Sequence, residues 1–464
     1  CIGINSIVFH VNTHNPYTDK KPGMTLDGIG TFFQRDNTWW REMPAFSSYI
    51  SKTQALLQYG HPVSDIAIYT GDEMPRRAIL PERLTESLPG LFSETTLKEE
   101  AARKANIGQP LEVSPVGVTH TRNMTKAEHW VNTLNGYRYD SFNHDALDGC
   151  RIENGKLVTR GGTAYSVIVV PQARPMNPDR HIDCWNTLDS IARLGVPVIK
   201  DVWRESDLSS IGISRDASLP EGIDFTHRHA DDADIYFLSN QSGKAKSFIP
   251  KFRDTRRYCY IIDAEHNRTM KVDANSEIAL AADDALFYVF TDNEIDTDYL
   301  YQPKHVGEMM PIDNNGWKVT FETTGKVVEM KELKDWTSFT DDNSIRYYSG
   351  HAAYETTFKR KHSPAKDESV VIDLGTVADI ATVYVNGKQC GTAWRPPYTV
   401  DITQAVKKGK NSLKIVVVNT WANALQGNDE GKAPFTGIWT NGKYRRASKD
   451  LLPSGLTSPI MISK

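Results

Sequence analysis

Around residue 216 the hydrophobic period of the chain changes, and that change bounds what it can fold into. Before it, apolar runs alternate with helical segments. Asp65 to Tyr69 (DIAIY) and Tyr165 to Val170 (YSVIVV) read as buried strands ending near Gly71 and Pro171. Trp185 to Leu194 reads as an amphipathic helix stopped by Gly195, with the strand Val196 to Ile199 after it. Strands separated by helices predict a parallel sheet covered on both faces. Asn154-Gly155 and Gly161-Gly162, on either side of Leu157, predict a tight turn and a small hairpin between two such units.

Beyond residue 216 the helical period fades. Asp234 to Leu238, Tyr258 to Ile262, Ile278 to Ala281 and Leu286 to Phe290 are short strands at regular spacing, which predicts an all-β sandwich. A second β series starts near Trp317 and includes Tyr354 to Phe358, Val370 to Leu374, Ala381 to Val385 and Leu413 to Val418. Within it, Asn386-Gly387-Lys388 suits a hairpin turn needing positive φ.

The first 60 residues read as one βα unit of an α/β barrel. Ile4 to His10 (INSIVFH) is a fully buried strand by its pattern. A long loop follows through Thr13-His14-Asn15-Pro16, Pro22-Gly23, Gly28, Gly30 and Trp39-Trp40, and loops of that length are often functional. Ser47 to Gly60 then predicts a helix, with Tyr49, Ile50, Leu56 and Leu57 as its apolar stripe.

A chain of 464 residues exceeds what one hydrophobic core supports, so several domains are expected. The net charge of -4 and the lack of a basic stripe exclude nucleic acid as a partner. With no run of about 18 apolar residues, no membrane-spanning helix is expected. The five cysteines (Cys1, Cys150, Cys184, Cys259, Cys390) have no metal-type spacing and are expected to be unpaired. Cys1 could be the lipidated first residue of a secreted lipoprotein. Ile2 to Phe9 is not a polar tether, however, so the favoured reading is a start in the middle of a fold.

Several segments resemble known carbohydrate-active proteins. Ala381 to Lys388, Cys390-Gly391, Pro396-Pro397-Tyr398 and Asp401-Ile402-Thr403 look like a galactose-binding-like jelly roll, as do Tyr348-Ser349-Gly350 and Asn419 to Asn423. Gly3 to His10, Thr13 to Pro16 and Asn37 to Trp40 resemble the end of the catalytic barrel in glycoside hydrolase family 106. Gly71-Asp72-Glu73, Asp140 to Leu147, His227-Arg228 and Asp234 to Asn240 resemble the domains behind it.

The fold class this implies is multidomain α/β plus all-β. Residues 1–60 would be the last βα unit of a barrel, 61–215 a flavodoxin-like α/β domain, 216–304 a small β-sandwich, and 305–464 the jelly roll. The resemblance further implies release of terminal α-L-rhamnose from plant polysaccharides or glycosides with inversion and calcium assistance, in the periplasm or outside the cell. A rhamnose-containing glycan would be the partner, together with a barrel region N-terminal to this chain.

Inversion needs an acid and a base about 6.5–9.5 Å apart. Ile4 to His10 carries no carboxylate, and Glu42 reads as a solvated or capping charge, so neither catalytic group is readable here. The expected sugar contacts are His10, His14, Asn37, Trp39 and Trp40, with Asp36 as a polar companion. Either imidazole could instead be structural, and at most one indole is expected at the ligand. Asp140 to Asp145 and Asp231, Asp232 and Asp234 read as capping loops rather than metal sites. Trp394, Tyr398, Trp421 and Trp439 could form a glycan-binding face or brace the barrel. The sequons at Asn123, Asn240 and Asn267 are read as incidental. Three functions stay open: an inactive piece of a rhamnosidase, a non-catalytic carbohydrate-binding or scaffold protein, and a hydrolase that needs a separate N-terminal chain.

Overall fold

The computed structural model describes residues 4–10, 12–25, 33–69, 98, 136–170, 185–199, 208–297, 300–301, 308–365, 368–442 and 450–463. Cys1, Gly28, Gly30, Gly71-Asp72-Glu73, Asn123, Pro171 and Cys184 lie outside them. The architecture is multidomain, rich in β-sheet and poor in helix. Two compact units divide the chain: one gathers Val8–Ile50 and Lys304–Lys464, and the other holds the described residues between them with those of Cys1–Ile7.

In the unit centred on residues 51–303, a four-stranded parallel sheet runs in the order Tyr139–Phe142, Ile66–Tyr69, Val167–Val169, Val198–Ile199. All four residues of Ile66–Tyr69 are buried, because a central parallel strand is covered on both faces. Its side chains alternate accordingly. Ile66 and Ile68 join Val167, Val169 and Tyr137 on one side, while Ala67 and Tyr69 meet Leu157, Leu188 and Ile191 on the other. Helix Trp185–Arg193 supplies Leu188 and Ile191. The hairpin Arg151–Glu153/Lys156–Val158 turns on Asn154 (φ 50°) and Gly155 (φ 73°), as that dipeptide predicts.

The same unit contains a six-stranded sheet in the order Arg268–Lys271, Tyr258–Asp263, Ala285–Thr291, Ala233–Asn240, Ile223–His229, His61–Pro62, with every pairing antiparallel. Phe225, Tyr236, Leu238, Ile261, Ile278, Tyr288 and Phe290 form its core.

The other unit is a sandwich. Its six-stranded antiparallel sheet runs Lys326–Met330, Trp317–Phe321, His351–Arg360, Gly409–Val418, Ile380–Val385, Lys388–Ala393. A four-stranded sheet runs Met309–Pro311, Met461–Ser463, Val371–Asp373, Thr399–Asp401. Phe321, Trp336, Tyr354, Ile372, Val383 and Ile415 belong to one continuous core drawn from both sheets. Wholly buried Trp336 donates its indole N–H to the Tyr354 hydroxyl at 2.6 Å, so neither polar atom is stranded. Asn386 (φ 52°) and Gly387 (φ 80°) form the predicted hairpin turn.

Two expectations at the N-terminus need correction. Ile4 to His10 forms no strand and is exposed throughout, with Ile4 58% and Val8 88% accessible. A strand needs a neighbouring strand for its N–H and C=O groups, and among the described residues none pairs with this segment; the Ile7 N–H and the Asn5 carbonyl bond instead to the side chains of Gln54 and Gln58. Residues 4–10 therefore form no strand. The helix predicted from Ser47 begins earlier, at Met43, and runs to Gln58. Pro44 sits in its first turn, where a missing N–H costs nothing, and Gly60 follows its end at φ 59°.

Candidate functional site

The sandwich unit carries a cleft of about 380 Å³ lined by residues 12–15, 33–36 and 40. Asn15 organises it. Its amide donates to the Lys20 carbonyl at 3.2 Å and to a carboxylate oxygen of Asp36 at 3.1 Å. Its carbonyl accepts from the N–H groups of Tyr17 and Met24 at 3.3 and 3.4 Å. One short side chain thereby ties the 12–15 segment to the 20–24 loop and fixes Asp36. Gly23, at φ 79°, is the glycine this arrangement requires, since a Cβ there would stand 2.2 Å from the Asn15 amide nitrogen.

The loop is anchored from outside as well. Lys21–Gly23 pairs in parallel with Ile438–Thr440. Buried Gln34 donates to the carbonyls of Pro22 and Met24 at 3.0 and 3.3 Å. The Trp421 indole N–H donates to the backbone oxygen of Asp36 at 2.8 Å.

Asn37 is extended, and its carbonyl accepts from Trp40 N–H at 3.2 Å as a 3-10 turn, Thr38–Arg41, begins. That turn sends the two indoles apart. Trp40, 44% exposed, lines the cleft, whereas Trp39 packs edge-on to Phe33 with centroids 6.2 Å apart. Of the five expected sugar contacts, the structure brings His14 and Trp40 to the cleft. His10 is exposed outside its lining, and Asn37 and Trp39, both half-buried, are not among the lining residues either. Among the described residues that line the cleft, Asp36 is the one carboxylate.

Glu42 departs from the solvated reading. It is buried at the start of helix Met43–Gln58, where the helix dipole favours a carboxylate, and both its oxygens accept from His351 Nε2, at 3.1 and 3.2 Å. Sequence reasoning missed this pair because nothing local marks a partner 309 residues away.

Three of the four sandwich aromatics proposed as a glycan face pack instead on the Val8–Ile50 segment of their own unit. Trp394 meets Phe46 and Tyr49 with centroids 5.4 and 5.6 Å apart. Trp439 meets Tyr17 at 5.3 Å, and Trp421 holds Asp36. These contacts brace that segment.

A second polar cluster lies in the other unit, on strand Ile223–His229. His227 is fully buried, stacked on Tyr236 at 3.9 Å, and bonded to Asp216 at 3.0 Å and Asp234 at 3.2 Å. Burial opposes its charge, but the bonds to the two carboxylates outweigh it and raise its pKa. Burial likewise disfavours the Asp234 carboxylate, yet His227, His229 and Arg256 together hold it well below its usual range. Asp234 is thus an ion-pair hub rather than a cap. Asp232 accepts from Tyr59 at 2.8 Å, and Asn143, as expected of its loop, caps the turn His144–Leu147.

Asp216, His227 and Asp254 converge closely enough to suggest a cation site. They do not suit calcium, which takes six to eight oxygens. Asp216 already accepts from Tyr236 at 2.9 Å and faces Arg253 at 3.5 Å. In the cleft, the Asn15 carbonyl and one Asp36 oxygen are also engaged. Among the described residues, neither cluster offers the oxygen-rich set calcium needs.

Residues 1–99 match the family model of glycoside hydrolase family 106, described as alpha-L-rhamnosidase. Residues 315–449 match the glycosyl hydrolase 2 galactose-binding domain-like model. A solved rhamnosidase from Novosphingobium sp. PP1Y is similar at 27% identity and a TM-score of 0.72, over 99% of this chain and 44% of that one. A curated protein of Formosa agariphila, provisionally named a beta-glucuronidase, is 21% identical over 99% of this chain and 60% of its own length. The chain therefore spans about half the length of the proteins it matches.

Proposed function

We propose that this chain, a relative of the glycoside hydrolase family 106 α-L-rhamnosidases that carries a galactose-binding-like domain, forms one wall of a glycosidase active site and the domains that brace it. The observation that carries the reading is the cleft of Trp40, His14 and Asp36 within the stretch matched by the rhamnosidase model. An exposed indole offers a flat apolar platform for the C–H face of a sugar, while His14, Arg35 and Asp36 offer partners to its hydroxyls.

The substrate is a terminal α-L-rhamnose of a plant polysaccharide or glycoside, and hydrolysis proceeds with inversion. Either outcome at the anomeric carbon needs two carboxylates. Among the described residues Asp36 is the one carboxylate that lines the cleft, and one of its oxygens is occupied by Asn15. The acid and the base come from sequence outside these 464 residues. The exposed apolar run Ile4, Ile7, Val8 and Phe9 supports this, because it has the pattern of a strand awaiting neighbours. The parallel sheet order, 2-1-3-4 along the chain, supports the flavodoxin-like reading of residues 61–215.

The single-carboxylate cleft also favours the second reading, carbohydrate binding without turnover. An aryl α-L-rhamnoside assay and a calorimetric titration with L-rhamnose, both on this chain alone, separate the two. Binding without turnover, restored to turnover by adding the N-terminal region, is expected. Turnover by the chain alone would refute the one-wall reading. Absence of any heat with rhamnose would refute the cleft as its site.

A further inference from the structure

On its outward face, the six-stranded sheet of the sandwich carries a groove of about 700 Å³, distinct from the cleft. Five of its lining residues stand directly opposite one another across five consecutive strands. Glu329 opposes Lys318, Lys318 opposes Glu355, Glu355 opposes Lys414, and Lys414 opposes Tyr384. The alternation of the strands explains why all five face outward, since Trp317, Val319 and Phe321 point into the core. All four charged residues are exposed and Tyr384 is half-buried, with the Lys414 ammonium 5.9 Å from the Tyr384 ring centroid.

Cross-strand pairing of opposite charges accounts for part of this row, because such pairs stabilise a sheet slightly. It does not account for a groove of this size along the row, nor for an aromatic ring closing it. The charges cancel, so the row presents no net field to an ionic ligand. It offers acceptor, donor, acceptor and donor in sequence, then a flat ring. Hydroxyl groups, which both donate and accept, match that alternation, and a pyranose ring can lie on the tyrosine. Four steps between strands span roughly 19 Å, room for about four sugar rings.

We propose that this groove binds a neutral linear oligosaccharide, laid across the strands from Glu329 to Tyr384. The site lies apart from the cleft and does not depend on the rhamnosidase reading. It would hold the main chain of a polymer while the cleft handles a terminal residue.

Calorimetric titration of the full 464-residue chain with neutral xylo-, gluco- and manno-configured hexasaccharides tests it, with hexagalacturonate as the charged counterpart. At least one neutral hexasaccharide is expected to bind. Tyr384→Ala should weaken it by about tenfold, and Glu355→Gln, at an exposed position, by severalfold. Both variants should melt as the parent does. If Tyr384→Ala lowers the melting temperature, Glu355→Gln alone decides. Binding that survives Glu355→Gln unchanged, a preference for hexagalacturonate, or no binding by any neutral member overturns the proposal.

Discussion

His351 Nε2 reaches both carboxylate oxygens of Glu42, at 3.1 and 3.2 Å, and both side chains are more than nine-tenths buried. The pair joins the first residue of strand His351–Arg360, in the six-stranded sheet of the sandwich, to the start of helix Met43–Gln58, two residues beyond Trp40. Nearby, Arg41 pairs with Glu322 at 2.7 Å on the surface, where such a contact contributes little. The buried pair is the one that holds the cleft wall in register.

Removing one partner leaves the other buried without a hydrogen bond, at a cost of about 1–3 kcal/mol. Glu42→Ala should therefore lower the melting temperature by several degrees, since about 1 kcal/mol corresponds to roughly 2–4 °C for a domain of this size. Glu42→Gln keeps an acceptor oxygen and should lose less. Scanning calorimetry decides, and equal melting of Glu42→Ala and the parent would show the pair to be energetically idle.

The buried His227 cluster gives the unit centred on residues 51–303 a pH signature. A histidine whose pKa is raised on folding binds an extra proton in the native state. Its contribution is complete below about pH 6.5 and fades as pH climbs through the raised value. Asp65 acts in the same direction, because burial raises its pKa against the opposing pull of Arg253. Asp234 acts oppositely. Its depressed pKa contributes stability above about pH 3.8, lost as pH falls toward the native value. Urea denaturation should thus find this unit gaining stability through Asp234 as pH rises to about 4 and losing it through His227 above about pH 6.5, and His227→Gln should flatten that alkaline decline. A stability that rises steadily from pH 6 to 8 would contradict the assignment.

Gly455 tests the sandwich core. It sits at φ 90°, and a Cβ there would come within 2.4 Å of Trp336 Nε1 and 2.5 Å of the Tyr354 hydroxyl. Gly455→Ala therefore meets both a disfavoured backbone angle and a wholly buried indole that cannot retreat. A loss of about 2–4 kcal/mol is expected in denaturant titration, whereas Gly243→Ala, with positive φ but open space around it, should lose only about 1 kcal/mol.

Local chemistry was readable where the signal is local. Asn386-Gly387 and Asn154-Gly155 are turns because only such residues take positive φ cheaply, and Ile66–Tyr69 within DIAIY is a central strand whose consecutive side chains are all buried because both faces of the sheet are covered. Ile4 to His10 has the same kind of pattern and yet forms no strand, since an apolar run states a need for neighbours without supplying them. The site was legible only in part for the same reason. The long loop and its tryptophans could be singled out as a candidate, but the hub function of Asn15, the burial of Gln34 and the partner of Glu42 depend on contacts between distant segments. Trp394, Trp421 and Trp439 are aromatic enough to suggest a binding face, and only tertiary packing shows what they cover.

The two adjacent indoles offer the sharpest separation of binding from bracing. Trp40 lines the cleft and is 44% exposed, so its ring supports nothing on its outward side. Trp39 is half-buried against Phe33, which itself touches Phe9 at 4.6 Å between centroids. Trp40→Ala should melt within about 1 °C of the parent, as surface substitutions do, while its L-rhamnose affinity falls about tenfold through loss of the stacking platform. Trp39→Ala should show the reverse, a melting temperature several degrees lower from lost aromatic packing, with affinity in the surviving folded protein near that of the parent. Calorimetric titration and thermal melts on both variants read the two effects independently. If both substitutions reduced affinity equally at unchanged melting temperature, the division between a contacting and a supporting indole would be wrong.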